Sequence, residues 1–187
     1  FTNKNVWPRG YPLESINTVE DVEVSEDARQ IAVWQGLANG EPDVDSVYRL
    51  TDGEKIVFDN RKPIAIHEGT YCPFNSQNTF WNKKVFPLLY LPVTVSFRYT
   101  DILRGFVAQR IFWEQDLVLG FTSATVYQDR NEHDLMNDFV QEVPMYIGFA
   151  SLIRVLDSVI LSGDSLVDLM RIYVELAKQN IVSAEEL

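Results

Sequence analysis

Side chains suited to chemistry gather in three short segments. The first is Asn5-Val6-Trp7-Pro8-Arg9-Gly10-Tyr11-Pro12, one arginine between two prolines in a stretch with no helical or strand period. Proline fixes φ and biases the preceding residue toward extended backbone, while glycine enters angles closed to other residues. A loop stiffened in this way holds a cation, either to close a surface turn or to face an anionic or polyhydroxylated ligand beside Trp7 or Tyr11. The second is Cys72 to Phe80, where Asn75, Ser76, Gln77 and Asn78 lie between aromatics. Amides offer directional bonds to sugar hydroxyls and aromatic rings a flat face for sugar C–H groups. The same run also reads as an Asn/Ser turn.

The third segment, Phe97 to Gly105, puts Asp101 in the first turn of a predicted helix, after the apolar run VTVSF. A helix N-terminus favours the ionised carboxylate, which keeps it available as a proton acceptor. The alternative is a plain helix cap. Arg98 and Arg104 flank it and can pair with phosphate or with Asp101 itself. Strand-end loops are where open α/β sheets place ligands.

Other chemistries find no support. No dinucleotide-binding glycine fingerprint, Walker loop, H-E-x-x-H or G-x-S-x-G occurs. His67 and His133 are the only histidines, neither stands in a telling pattern, and His67 in IAIHEGTY reads as structural. Asp43-Val44-Asp45 has the D-x-D form that holds a divalent cation on a diphosphate. It follows NGEP, however, and reads as a turn and strand cap. Cys72 is the only cysteine, so neither an internal disulfide nor a cysteine-built zinc site can form. A net charge of −11 argues against nucleic acid as a partner. Six acids between Glu14 and Asp27, with no base among them, read as a solvated, mobile face. No apolar run approaches the roughly 18 residues of a membrane span, and no membrane contact is expected of this segment. The chain begins at Phe1 without methionine, which reads as a processed product or a segment of something longer.

The elements that must position these groups are mixed. One domain is expected for 187 residues. Strand-like runs are 30–34, 46–50, 64–71, 93–97, and 117–121 continuing through 125–127. A helix is predicted over 102–113, with Thr100 or Asp101 as its cap. A buried helix is predicted over 145–160, stopped by Ser162-Gly163, and a second capped by Ser165. In the latter Leu166, Leu169, Met170, Tyr173, Leu176 and Ala177 form the inner stripe, with Asp168, Arg171, Glu175 and Lys178 facing away. The fold class is α/β with a mixed sheet and a C-terminal αα-hairpin.

The blocks NVWPRGYPLE, QGLANGEPDVDSVYRL, GTYCPFNSQNTFW and LPVTVSFRYTDILRGFVAQRIFWE, in this order, resemble the STELLO family of glycosyltransferase-like proteins. More distantly they are similar to the reversibly glycosylated polypeptides, which are UDP-arabinopyranose mutases. The resemblance covers roughly residues 1–138. It implies a GT-A-like nucleotide-sugar transferase fold, of which 1–143 would be the acceptor-side region and 144–187 the hairpin closing the core. It implies transfer of a sugar from a nucleotide-diphosphate donor to a glycan or protein acceptor, or else a non-catalytic partner of polysaccharide-synthesising machinery. A divalent manganese or magnesium ion is implied for the whole enzyme, its ligands outside this chain in an upstream donor-binding half. Carried onto these residues, Arg9 and Gly10 fall in an R-G-Y-P signature, and Asn75, Gln77 and Asn78 in the amide-rich loop beside the sugar. Asp101 stands where many GT-A enzymes place the acceptor-activating carboxylate, with Thr100 replacing one acid of the mutases' pair. Arg98 and Arg104 are expected on substrate. Tyr127-Gln128 replaces a Tyr-His of the mutases, and His133 substitutes poorly for it.

Overall fold

In the computed structural model, residues 1–18 and 31–187 are described in full and residues 24, 25 and 30 by backbone alone. Glu20, Asp21, Glu23, Glu26 and Asp27 of the acidic run lie outside the described residues. The sheet is built around two long strands, β2 (Gln30–Gly40) and β5 (Leu117–Gln128), paired in parallel from Gln30↔Leu117 to Gly40↔Gln128. β1 (Val24–Ser25), β3 (Ile64–Ile66) and β4 (Thr79–Trp81) complete the order β1-β3-β5-β2-β4, every other pairing being antiparallel. Parallel strands need a long crossover. Here it carries α1 (Ser46–Thr51), β3, β4 and α2 (Thr100–Trp113).

Helix α2 is the centre of the core. Ile102, Leu103, Phe106, Val107, Ile111 and Phe112 are all buried against Val33, Leu119, Phe74 and Leu88. Burying each such side chain stabilises by roughly 1.5–3 kcal/mol. Beyond α2 the chain closes with α3 (Leu135–Ser158) and α4 (Ser165–Lys178), which bring Leu152, Leu156, Ile172 and Leu176 to the same core. The α/β class, the mixed sheet and the C-terminal hairpin are as predicted, and consistent with a GT-A-like fold.

Several local expectations differ. Residues 46–50 form α1, not a strand, because the Asp45 carboxylate accepts the Tyr48 N–H and caps a helix. No strand forms at 93–97: Glu186 takes the Val93 and Thr94 N–H groups, and Val93 and Phe97 stand 78% and 84% exposed. The run 64–71 keeps strand geometry only to Ile66, before a turn with Gly69 at φ +84. Tyr99, not Thr100 or Asp101, is the N-cap of α2, and makes no side-chain capping bond.

Helix α3 starts ten residues before the predicted 145, passing through Pro144, which costs it a backbone hydrogen bond. It is pinned ahead of the proline by Asp134, which caps it, and by buried Asp138 and Glu142. The helix is not buried on most sides, since Ile147 is 80% exposed. By length and composition α3 could cross a membrane, which the absence of an 18-residue apolar run did not anticipate. In α4 the cap is Asp164 and the buried face is Asp168, Ile172, Tyr173 and Leu176, while Leu166 and Met170 turn outward. Asp168 faces inward because it accepts from Ser162 N, Ser162 Oγ and Gly163 N, closing the hairpin turn.

Candidate active site at the start of α2

The Pro8–Tyr11 turn is clamped at both ends of its arginine. Pro8 bridges Val44, the Arg9 N–H donates to the Asp43 carbonyl at 3.1 Å, and the Tyr11 N–H closes back on Pro8. Gly10 sits at φ +89, and a Cβ there would meet Ile102 Cγ2 at 2.4 Å. The loop can therefore lie on α2 only with glycine at this position. Trp7 donates its indole N–H to Asp45 at 2.6 Å and stands edge-on to Tyr48.

Arg9 is buried, and its five N–H donors are all engaged inside the protein. Nε and Nη2 grip Asp43 at 3.2 and 2.6 Å, Nη1 and Nη2 grip Asp101 at 3.0 and 3.3 Å, and Nη1 also reaches the Arg98 carbonyl. This guanidinium faces two carboxylates, so the expectation that it meets a ligand gives way to one of holding Asp101. Asp43 also receives Arg130 Nη2 at 3.0 Å. Burial pushes its carboxyl up, but Arg9, Arg130 and Arg98 outweigh that and bring it down to about 2.

Asp101 therefore sits in the first turn of α2 with its back to Arg9 and its Oδ2 accepting the Ser76 N–H at 3.0 Å. Its side chain is 15% exposed, and Oδ1 is bonded by Arg9 alone among the described residues. One oxygen thus keeps a lone pair for an incoming hydroxyl. The polar loop 75–78 is held beside it from β2. Gln35, a buried amide in that strand, accepts the Asn75 N–H and donates to the Asn78 carbonyl. Asn75 Oδ1 accepts the Gln77 N–H, and Asn78 Nδ2 donates to the Leu37 carbonyl and to Thr125 Oγ1. A Cβ on Gly36 would stand 2.4 Å from Asn78 Nδ2, so this amide fills space that only glycine leaves open. The Gln77 side chain makes no hydrogen bond among the described residues.

Arg104, one turn along α2, lies over the Trp81 and Phe74 rings at 4.8 and 5.6 Å and donates to Ser76 Oγ. Its buried Nε has no partner among the described residues, and burial lowers the pKa of the group against the pull of Asp101. Arg98 points the other way, into Glu142, which also accepts from Ser46 N, Ser46 Oγ and Tyr146 Oη. Of the expected substrate residues, Asn75, Gln77 and Asn78 belong to the loop whose Ser76 N–H reaches Asp101, and Arg104 donates to Ser76 Oγ, whereas Arg9, Gly10 and Arg98 lie on the inner side of the arrangement. Sequence reasoning missed Gln35, Arg130, Asp138 and Glu142. A signal existed for two of them, since Asp138, Glu142 and Tyr146 recur at four-residue spacing along one face of α3.

The D-x-D residues do not suit a metal ion. Asp45 is wholly buried as the α1 cap and Asp43 is spent on two arginines. Among the described residues no three His, Cys, Asp or Glu side chains gather as a metal would need.

No family model matches the sequence. Two curated proteins of Arabidopsis thaliana do: probable glycosyltransferase STELLO1, 35% identical over 166 residues, and probable glycosyltransferase STELLO2, 37% identical over the same length. Each alignment covers 83% of this chain. This region is STELLO-type. It spans about a fifth of those relatives, 21% of each.

Proposed function

We propose that this chain is the acceptor side of a glycosyltransferase using a nucleotide-diphosphate sugar, with Asp101 as the base that activates the acceptor. The observation that carries this reading is the carboxylate itself, held by Arg9 and by Ser76 of the amide loop, with Oδ1 bonded by Arg9 alone among the described residues and the side chain 15% exposed. An acceptor hydroxyl, of a glycan or a protein, donates its proton to Asp101 as its oxygen bonds the anomeric carbon. The bond from that carbon to the diphosphate breaks, and the nucleoside diphosphate leaves. Asn75, Gln77 and Asn78 orient sugar hydroxyls, and Arg104 stacked on Trp81 offers a cation to an anionic group. Arg9, Gly10 and Arg98 are positioning residues. Manganese or magnesium on the diphosphate belongs, in this reading, to ligands outside this chain, in the remaining length that STELLO-type relatives possess.

The test is donor turnover by the full-length protein across a panel of UDP- and GDP-sugars, read as release of nucleoside diphosphate. Asp101→Asn keeps the shape and removes the base, and is expected to lower turnover by at least about 10²-fold. Turnover unchanged in Asp101→Asn would reduce Asp101 to a partner of Arg9. Absence of turnover with every donor would favour a non-catalytic partner of polysaccharide-synthesising machinery.

A further inference from the structure

A cavity of about 330 Å³ opens on the far side of Asp43 from Asp101, outside the carboxyl ends of β2 and β5. Its wall includes Tyr48 and Arg49 of α1 and Arg130, Asn131 and His133 of the segment that follows β5. Arg49, Arg130 and His133 each have one carboxylate partner, yet donors of the two guanidinium groups stay unpaired among the described residues. Arg49 Nη1 donates to Asp138 at 3.3 Å, but its Nη2 is buried without a partner among the described residues, as is the Tyr48 hydroxyl. Arg130 spends Nε and Nη2 on the Glu41 and Pro42 carbonyls and Asp43, leaving Nη1 without a bond among the described residues. His133 sets Nδ1 toward Asp138 at 3.3 Å, and its other nitrogen makes no hydrogen bond among the described residues. Burial first, then Arg130 and Arg98, disfavour the charged form of Arg49, as expected where positive groups converge.

Three acids also line the wall, and two are already committed. Glu41 Oε2 accepts the Arg130 N–H and Glu54 pairs with Lys4 at 2.5 Å, which leaves exposed Glu132. Unsatisfied guanidinium donors beside a cavity favour an anion with several acceptor oxygens. We propose that this cavity is a phosphate-binding site, in which Arg49, Arg130 and His133 hold a phosphate or diphosphate group. The site uses none of the residues that contact Asp101 except through Asp43, so it stands apart from the transfer reading.

The probe is inorganic pyrophosphate, titrated calorimetrically into the 187-residue chain at low salt without divalent metal. Wild type is expected to bind it, and Arg49→Gln to bind at least about tenfold more weakly, the loss of one charge-assisted contact. Arg61→Gln, which removes an exposed arginine paired with Asp59, is the control and should bind as wild type does. His133→Gln removes a partly exposed ring and keeps the test alive should Arg49→Gln unfold; it too should weaken binding. UDP binding much tighter than pyrophosphate assigns the site to a nucleotide's diphosphate, and equal affinity assigns it to free phosphate. No pyrophosphate binding, binding indifferent to both variants, or glucuronate bound as tightly as pyrophosphate would overturn the proposal. Asp101→Asn should leave pyrophosphate binding intact even if it abolishes turnover, so the two readings fail separately.

Discussion

Arg9→Ala leaves the largely buried Asp101 without its cation and Asp43 with Arg130 alone. Breaking a buried pair from one side costs about 3–5 kcal/mol, because the remaining charge has lost both water and partner. Urea unfolding of Arg9→Ala should show a loss of that size, and a midpoint like that of wild type would mean Arg9 is free for ligand after all. The pH dependence follows from Asp43. Its folded-state pKa of about 2 lies below the unfolded value near 3.9, so its contribution is full above that value and disappears as pH falls toward 2. Wild type should therefore lose stability between about pH 4 and 2 more steeply than Asp43→Asn. Parallel curves would show that the carboxylate does not titrate where Arg9 and Arg130 place it.

Helices and strands show how far local pattern reaches. The three-to-four spacing of Leu103, Phe106, Val107 and Ile111 predicts α2 because the same residues that repeat in sequence fill one core. β2 and β5 show as apolar runs for the same reason. Residues 93–97 have a strand's composition, but their N–H groups are taken by Glu186 from the far end of the chain, and no local pattern encodes that. Asp168 misleads in the other sense: by helical spacing it belongs on the wet face, yet the Ser162-Gly163 turn needs an acceptor inside. Of the site, Asp101 and the amide loop were legible because polar residues crowd there without a packing reason. Arg9 was legible as important but not as fully paired, since its partners come from two distant segments. Asp168→Ala should cost about 1–3 kcal/mol in chemical denaturation, the penalty for stranding buried donors. Glu186→Gln should speed hydrogen exchange at the Val93 and Thr94 amides without moving exchange in β2 or β5.

At the scale of the molecule, charge is distributed unevenly. The net charge is −11, while the ion pairs that tie distant segments together, Arg9 with Asp43 and Arg98 with Glu142, are buried. Salt screens exposed repulsion far more than it weakens buried pairs. The Tm should therefore rise, not fall, between about 10 mM and 0.3 M sodium chloride, as the Debye length shortens from roughly 30 to 6 Å and surface charges pass from within it to beyond it. A fall in Tm over that range would place the important pairs at the surface.

The exposed stretch around Asn60 is a natural seam. Asp59 donates its N–H to the Phe1 carbonyl, whereas Arg61 exchanges hydrogen bonds with Ser123, so the backbone on either side is already tied to a different half. β2 lies before this seam and β5 after it, and Arg9–Asp101 and Arg130–Asp43 cross it. Cut there, the chain becomes two pieces that each carry half of a parallel strand pair and half of a charge lattice. Fragments 1–60 and 61–187, expressed together, should find one another and co-purify, making this seam a place to build a split reporter. Charge reversal at Asp43 in the first piece should prevent their reunion.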